Sequence, residues 1–271
     1  MKLNFVKLSP TRNMTIIVTD AVPRSLQGTV AEQLMAYGNV GAEQVGFLEE
    51  PSLPGARARL QMMGGEFCGN ASMSMAAYLA YTDGLPDGAH TEVPLEVSGA
   101  DELVRCEIER WGDGYRGSVR MPLPESIEEF SFGPGCSYPL VSFPGIAHAI
   151  VPDTRMTPAE AEACIAAWCR QCGAEALGIV LTSEGCDSFR PLVYVRETGS
   201  CVWEHGCGSG TAAIGAHFAS CRRAGSTLDL SQPGGVMRIQ ARYDGSLTEL
   251  RITGSVKIAA IGQAWIDLEQ P

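Results

Sequence analysis

Lysine is nearly missing from this chain: among 271 residues only Lys2, Lys7 and Lys257 carry an ε-ammonium. A pyridoxal-phosphate enzyme needs a Schiff-base lysine. None of the three lies near a glycine-rich phosphate loop, so that cofactor route is disfavoured. Positive charge is scarce altogether, with 20 Lys+Arg against 31 Asp+Glu and a formal net charge of −11. Proteins that neutralise phosphates cluster basic side chains, so no nucleic-acid partner is expected. No segment approaches the roughly 18 apolar residues of a membrane span, and the opening MKLNFVKLSP lacks the apolar run of a secretory signal. No membrane association and a cytoplasmic location are expected. The four histidines, His90, His148, His205 and His217, are scattered, and no second cysteine pair has zinc spacing, so no metal site is expected.

What is present describes a globular protein. Hydrophobic residues make up 45% and charged residues 19%, and no low-complexity tract interrupts them. The length suits one large domain or two of about 135 residues. Ten cysteines in a chain expected in the cytosol are core residues, catalytic thiols or metal ligands rather than a disulfide framework.

The periodicity predicts an α+β fold. Residues 14–20, 95–99, 178–183 and 250–258 are short, β-branched and bounded by Gly, Pro, Asp or Ser, as strands are. Helical spacing runs over 25–38, 68–84, 157–173 and 207–225; each of these ends on a glycine suited to a C-terminal cap, and Thr157-Pro158 is an N-terminal signal. The elements recur with a nearly constant offset. The first and third helices begin about 132 residues apart, the Cys-Gly segments at Cys68 and Cys207 stand 139 apart, and the strands LEVS and LDLS begin at Leu95 and Leu228. Gly69/Gly208, Ala77/Ala216 and Ala80/Ala219 are identical in the register set by the two cysteines. The chain reads as two copies of one domain, 1–124 with about 259–271, and 125–258, each carrying one of those cysteines.

Cys68 and Cys207 each stand directly before small residues that open a helix. There the first-turn N–H groups are unpaired and the helix dipole is positive, which favours a thiolate or a bound carboxylate. Gly69, Gly208 and Gly210 leave backbone amides uncovered for a substrate carboxylate. Two such thiols on duplicated halves suit a two-base racemase: one removes the α-proton, and the other delivers a proton to the opposite face. Charge moving into the carboxylate must be stabilised by amides. Burial is the plain alternative for any single cysteine, since Cys is among the most buried residue types.

Two further motifs compete. GSGTAA (208–213) fits the dinucleotide pattern G-x-G-x-x-A, with Asp229 at a distance suited to a ribose-binding acid, but too little strand–helix alternation follows it. WCRQC (168–172) has thioredoxin-type spacing, yet it lies on a predicted helix where core packing is the better reading.

The order FVKLSPTRNMTIIV, VGAEQVGF, EFCGN, GIAHAIV and HGCGSGTAA resembles the diaminopimelate epimerase superfamily over essentially the whole chain. EQVGF, GGEFCGNASMS, WEHGCGSGTAAIG and QPGG are closer to the histidine racemases of staphylopine-type opine metallophore pathways. The resemblance implies two similar α+β domains, each a sheet curled around a central helix, with the active site in the cleft between them, no cofactor, a free amino-acid substrate and a homodimer. Carried over by position, Cys68 and Cys207 match the catalytic bases, and Asn13 and Asn70 match asparagines near the substrate amino and carboxylate groups. Gly69 follows the first base, Gly208 and Ser209 match the amide cradle after the second, and His148 matches a family histidine near the site. Diaminopimelate epimerases clamp the distal amino-acid end with asparagines and an arginine; here those stretches read Gly145-Ile146-Ala147-His148, Met62 or a neighbour, and Glu197-Thr198-Gly199. The clamp is missing, which disfavours diaminopimelate. Glu43 stands at the acidic position that in the histidine racemases faces the imidazole, and a carboxylate can partner an imidazole N–H. The expected activity is cofactor-independent interconversion of L- and D-histidine. Another amino-acid racemase, a dinucleotide-binding oxidoreductase or a noncatalytic binding protein of the same fold are the rivals.

Overall fold

The computed structural model describes residues 1–268. The chain divides into two compact units, one of Met1–Arg120 with the chain from Thr253 onward, the other of Met121–Ile252.

In the first unit, β1 (Lys2–Pro10) turns back into antiparallel β2 (Thr15–Val18), and α1 (Arg24–Met35) carries the chain to β3 (Gln44–Glu49), parallel to β2. Strand β4 (Ala58–Met62) returns antiparallel to β3. After α2 (Gly69–Thr82), β5 (His90–Val97) lies parallel to β4, and β6 (Val104–Trp111) and β7 (Gly114–Met121) continue as an antiparallel meander.

The second unit repeats this order. Strands β8 (Ser126–Ser131), β9 (Ser137–Phe143) and β10 (Ile146–Pro152) are successive antiparallel neighbours. Helix α3 (Pro158–Cys172) crosses to β11 (Ala176–Thr182), parallel to β10, and β12 (Phe189–Val195) and β13 (Ser200–Trp203) return antiparallel. Helix α4 (Gly208–Arg222) then leads into the β14 (Ser226–Gln232) and β15 (Gly235–Asp244) hairpin. Strand β16 (Ser246–Trp265) starts in this unit and ends in the first, where Val256–Trp265 pairs antiparallel with β1.

The β2–α1–β3 and β10–α3–β11 units are thus equivalent, as are the helices that follow them. α3 is amphipathic, opened by a Thr157/Glu160 capping box and closed on left-handed Gly173. α2 and α4 are different: both are small-residue helices buried on nearly all sides. α2 packs on β1, β2, β4, β5 and β6, while α4 packs on β9, β10, β14 and β15. Glycine permits that closeness, because a Cβ on Gly215 of α4 would collide with Ile239 of β15.

Some boundaries differ from the sequence expectation. α1 stops at Met35, well before Gly38, because the following chain folds back and its N–H groups satisfy the helix end, Gly41 N–H on Leu34 C=O at 3.0 Å among them. α4 ends at Arg222, and Arg223, at φ 50°, takes the left-handed cap where Gly225 was expected. The unit boundaries fall at 120/121 and 252/253, before the positions 124 and 258 placed from sequence, because β16 is one unbroken strand across the second of them. The last three residues of the expected 259–271 tail lie outside the described residues.

Candidate active site

Cys68 caps α2. Its backbone is extended (φ −132°, ψ 112°), and its Sγ accepts the Ala71 N–H at 3.4 Å. The thiol donates to Gln44 Oε1 at 3.1 Å. The Gln44 amide cannot turn over without loss, because its NH2 is committed to Asn13 Oδ1 and Thr15 Oγ1, both at 2.7 Å. Asn13 Nδ2 in turn donates to Glu43 Oε2 at 2.8 Å. A continuous chain of side chains therefore runs from Glu43 through Asn13 and Gln44 to the Cys68 sulfur. Its base is the β1–β2 turn, where Thr11 (φ 46°) and Arg12 (φ 60°) are both left-handed. Two consecutive non-glycine residues in that region store backbone strain at the place that aims Asn13. Gly69 and Asn70, buried in the first turn of α2, follow Cys68.

Cys207 occupies the same position on α4, with φ −111° and ψ 109°, and its Sγ accepts the Gly210 N–H at 3.4 Å. Ser209 Oγ lies 3.5 Å from the sulfur, and Gly208 is buried beside it. Cys207 is 3% exposed, whereas Cys68 is only half-buried. Burial, and then the Glu204 carboxylate bonded to it, push the Cys207 thiol well above the ordinary range; Ser209 and the Gly210 amide oppose them. The resting Cys207 is a thiol.

His148 lies on β10 on the face opposite to Ala147, Ala149 and Val151, which join the α3 core. It is fully buried, with its ring against Gly178 and edge-on to Phe143 at 6.5 Å. Neither ring nitrogen has a partner among the described residues. Burial holds its pKa down to about 3, so the ring is neutral at physiological pH.

The sequence motifs left aside take ordinary structural roles. All ten cysteines are free thiols. Cys169 packs into the α3 core, and Cys172 donates to the Cys169 carbonyl at 3.5 Å within the helix. Asp229, the ribose-binding candidate, is held by Arg238 through two bonds of 2.7 and 2.8 Å. The strand that follows α4 enters an antiparallel hairpin rather than a parallel crossover. No group of three or more metal-ligating side chains occurs among the described residues, and no helix there is long and apolar enough to cross a membrane.

Gln44, Glu204 and Gln232 are the polar residues around the thiols that sequence reasoning did not single out. Gln44 lies in EQVGF directly after Glu43, Glu204 in WEHGCGSGTAAIG and Gln232 in QPGG, and those motifs were the available signal.

Comparison with known proteins bears on the family and the fold. The profile for the histidine racemase CntK N-terminal domain matches residues 2–265. A histidine racemase of Staphylococcus aureus is 32% identical, covering 98% of both chains, and one of Fusobacterium nucleatum is 31% identical, covering 97% of both. Among solved structures, a hydroxyproline epimerase from Agrobacterium vitis with bound trans-4-hydroxy-L-proline superposes with a TM-score of 0.70 at 13% identity, covering 98% of this chain and 94% of that one. A methylitaconate-delta-isomerase gives 0.59 at 14% identity, over 97% and 95%. These two share the fold, two-domain α+β; the sequence matches over nearly the full length say more, and the chain belongs to the histidine racemase family.

Proposed function

We propose that this amino-acid racemase interconverts L- and D-histidine without a cofactor, with Cys68 and Cys207 as its two bases. The observation that carries the reading is the matched pair of helix caps: each thiol sits where a first-turn N–H already meets its sulfur at 3.4 Å. The Cα–H bond breaks as one thiolate takes the proton, and the electron pair moves into the substrate carboxylate. The other sulfur gives up its proton to the opposite face of the same carbon and is left as the thiolate, so the reverse reaction starts from exchanged roles. Backbone amides at Gly69–Asn70 and Gly208–Ser209 stabilise the charge in the carboxylate. Asn13 serves the amino group, and Glu43 reads the imidazole N–H. His148 supports the site as a neutral ring. The family resemblance further favours a cytoplasmic homodimer that supplies D-histidine to opine-type metallophore assembly.

The test is α-proton exchange with D2O, together with chiral analysis of the product, for apo protein on a panel of amino acids. Histidine is expected to exchange and invert without additives. Absence of exchange on every amino acid would sink the racemase reading, and exchange confined to another substrate would sink histidine. Cys68→Ser and Cys207→Ser are each expected to abolish inversion. Glu43→Gln should lower kcat/KM for histidine by about ten- to a hundredfold, the scale of one charge-assisted hydrogen bond; unchanged kinetics would take Glu43 out of substrate recognition.

A further inference from the structure

Gln232, the last residue of β14, is 8% exposed and grips the Cys207 peptide from both sides. Its Oε1 accepts the Cys207 N–H at 2.6 Å, and its Nε2 donates to Thr211 Oγ1 at 2.9 Å. The Thr211 hydroxyl donates to the Cys207 carbonyl at 2.7 Å. The three bonds close a ring that starts and ends on one residue, and only one orientation of the Gln232 amide satisfies both of its ends. Thr211 is completely buried, so water does not compete for these bonds.

The first unit has half of this device. Ser72 Oγ donates to the Cys68 carbonyl at 2.8 Å, as Thr211 does to Cys207. In the LEVS/LDLS register, however, the residue matching Gln232 is Gly99. It has φ 72°, and its position leaves no room for a side chain against the Phe67 N–H. Cys68 is oriented through its sulfur, by Gln44. Cys207 is oriented through its backbone.

We propose that Gln232 is a positioning residue for Cys207: the Gln232–Thr211 ring fixes the backbone of the second base, so that its sulfur meets the α-carbon without reorganisation. The proposal rests on the two-base reading. The ring does not involve the sulfur, whose own contacts are the Gly210 N–H, Ser209 and Glu204, so it holds the Cys207 backbone whether or not the sulfur carries its proton. Loosening the ring therefore costs alignment more than substrate affinity.

Gln232→Leu and Thr211→Val each open the ring with a side chain of similar size. In both, kcat for histidine inversion is expected to fall on the order of tenfold or more while KM changes less than about twofold. For the enantiomer deprotonated by Cys68, exchange without inversion should rise relative to inversion, because proton removal survives and delivery does not. Thr211→Ser keeps the hydroxyl and should restore both values. Independently of turnover, residue-resolved alkylation by iodoacetamide should quicken several-fold at Cys207 and stay unchanged at Cys68. Unchanged Cys207 alkylation in both variants, or equal losses of exchange and inversion with both thiols quickened, overturns the proposal. Wild-type protein that racemises nothing defeats the two-base reading instead, and the alkylation pattern still decides the clamp. If one variant fails to fold, the other carries the test.

Discussion

At the scale of single residues, the two thiols sit in opposite surroundings. Cys68 is half-buried and hydrogen-bonded to a neutral amide, whereas Cys207 is enclosed, beside a carboxylate. Burial and the Glu204 carboxylate favour the protonated form of Cys207. His148 is another buried titratable group, and it bears on acid stability. Its pKa is about 3 in the folded chain and near 6.5 in an unfolded one, so between those values the unfolded state binds more protons. Its contribution is fully present above about pH 6.5 and is lost as pH falls toward 3. The buried Glu96, held to about 2, adds a loss only below roughly pH 4.5. Between pH 6.5 and 5 the decline should therefore follow the histidines that burial holds neutral, His148 and the less enclosed His217, with His148 contributing no more than about 1.4 kcal/mol per pH unit. Urea denaturation across that window should show the slope in the parent protein and a flatter profile in His148→Leu; equal slopes would refute the assignment.

At the scale of elements, the enclosed helices α2 and α4 set the geometry, and they tolerate little added volume. Gly215→Ala should lower stability by about 1–3 kcal/mol, although alanine favours helix, because the new methyl has to displace Ile239. Thermal melts should show this, with partial recovery in Gly215→Ala combined with Ile239→Ala; an unchanged midpoint would mean that β15 yields freely. Much at this scale was legible beforehand. The four helices, and the two cysteines at the start of two of them, follow from apolar spacing and from small residues after Cys68 and Cys207. Thr157-Pro158 marks the start of α3 because proline and a capping threonine act locally. The end of α1 was not legible, since it is set by chain that folds back onto it, nor was the end of α4, where an arginine adopts the conformation usually left to glycine. Gln44 and Gln232 escaped notice for a related reason. Both lie in the motifs EQVGF and QPGG, but a glutamine is neither acid, base nor nucleophile, and each matters only through partners distant in sequence, Cys68 in one case and Cys207 with Thr211 in the other.

At the scale of the whole chain, the first unit is discontinuous. Its sheet includes the Val256–Trp265 part of β16, which pairs with β1 over nearly the full length of that strand. A chain ending at Ile252 would leave β1 with a bare edge, a template for pairing with other chains. Such a truncation should form aggregates on size exclusion, while hydrogen exchange still protects the amides of β10 and β11; a soluble monomer with β1 protected would contradict this. The same strand also sets an order of assembly during synthesis. Translation completes every residue of the second unit before it reaches Thr253, so the half carrying Cys207 has its whole sequence in the chain while the half carrying Cys68, although begun first, still lacks its last strand.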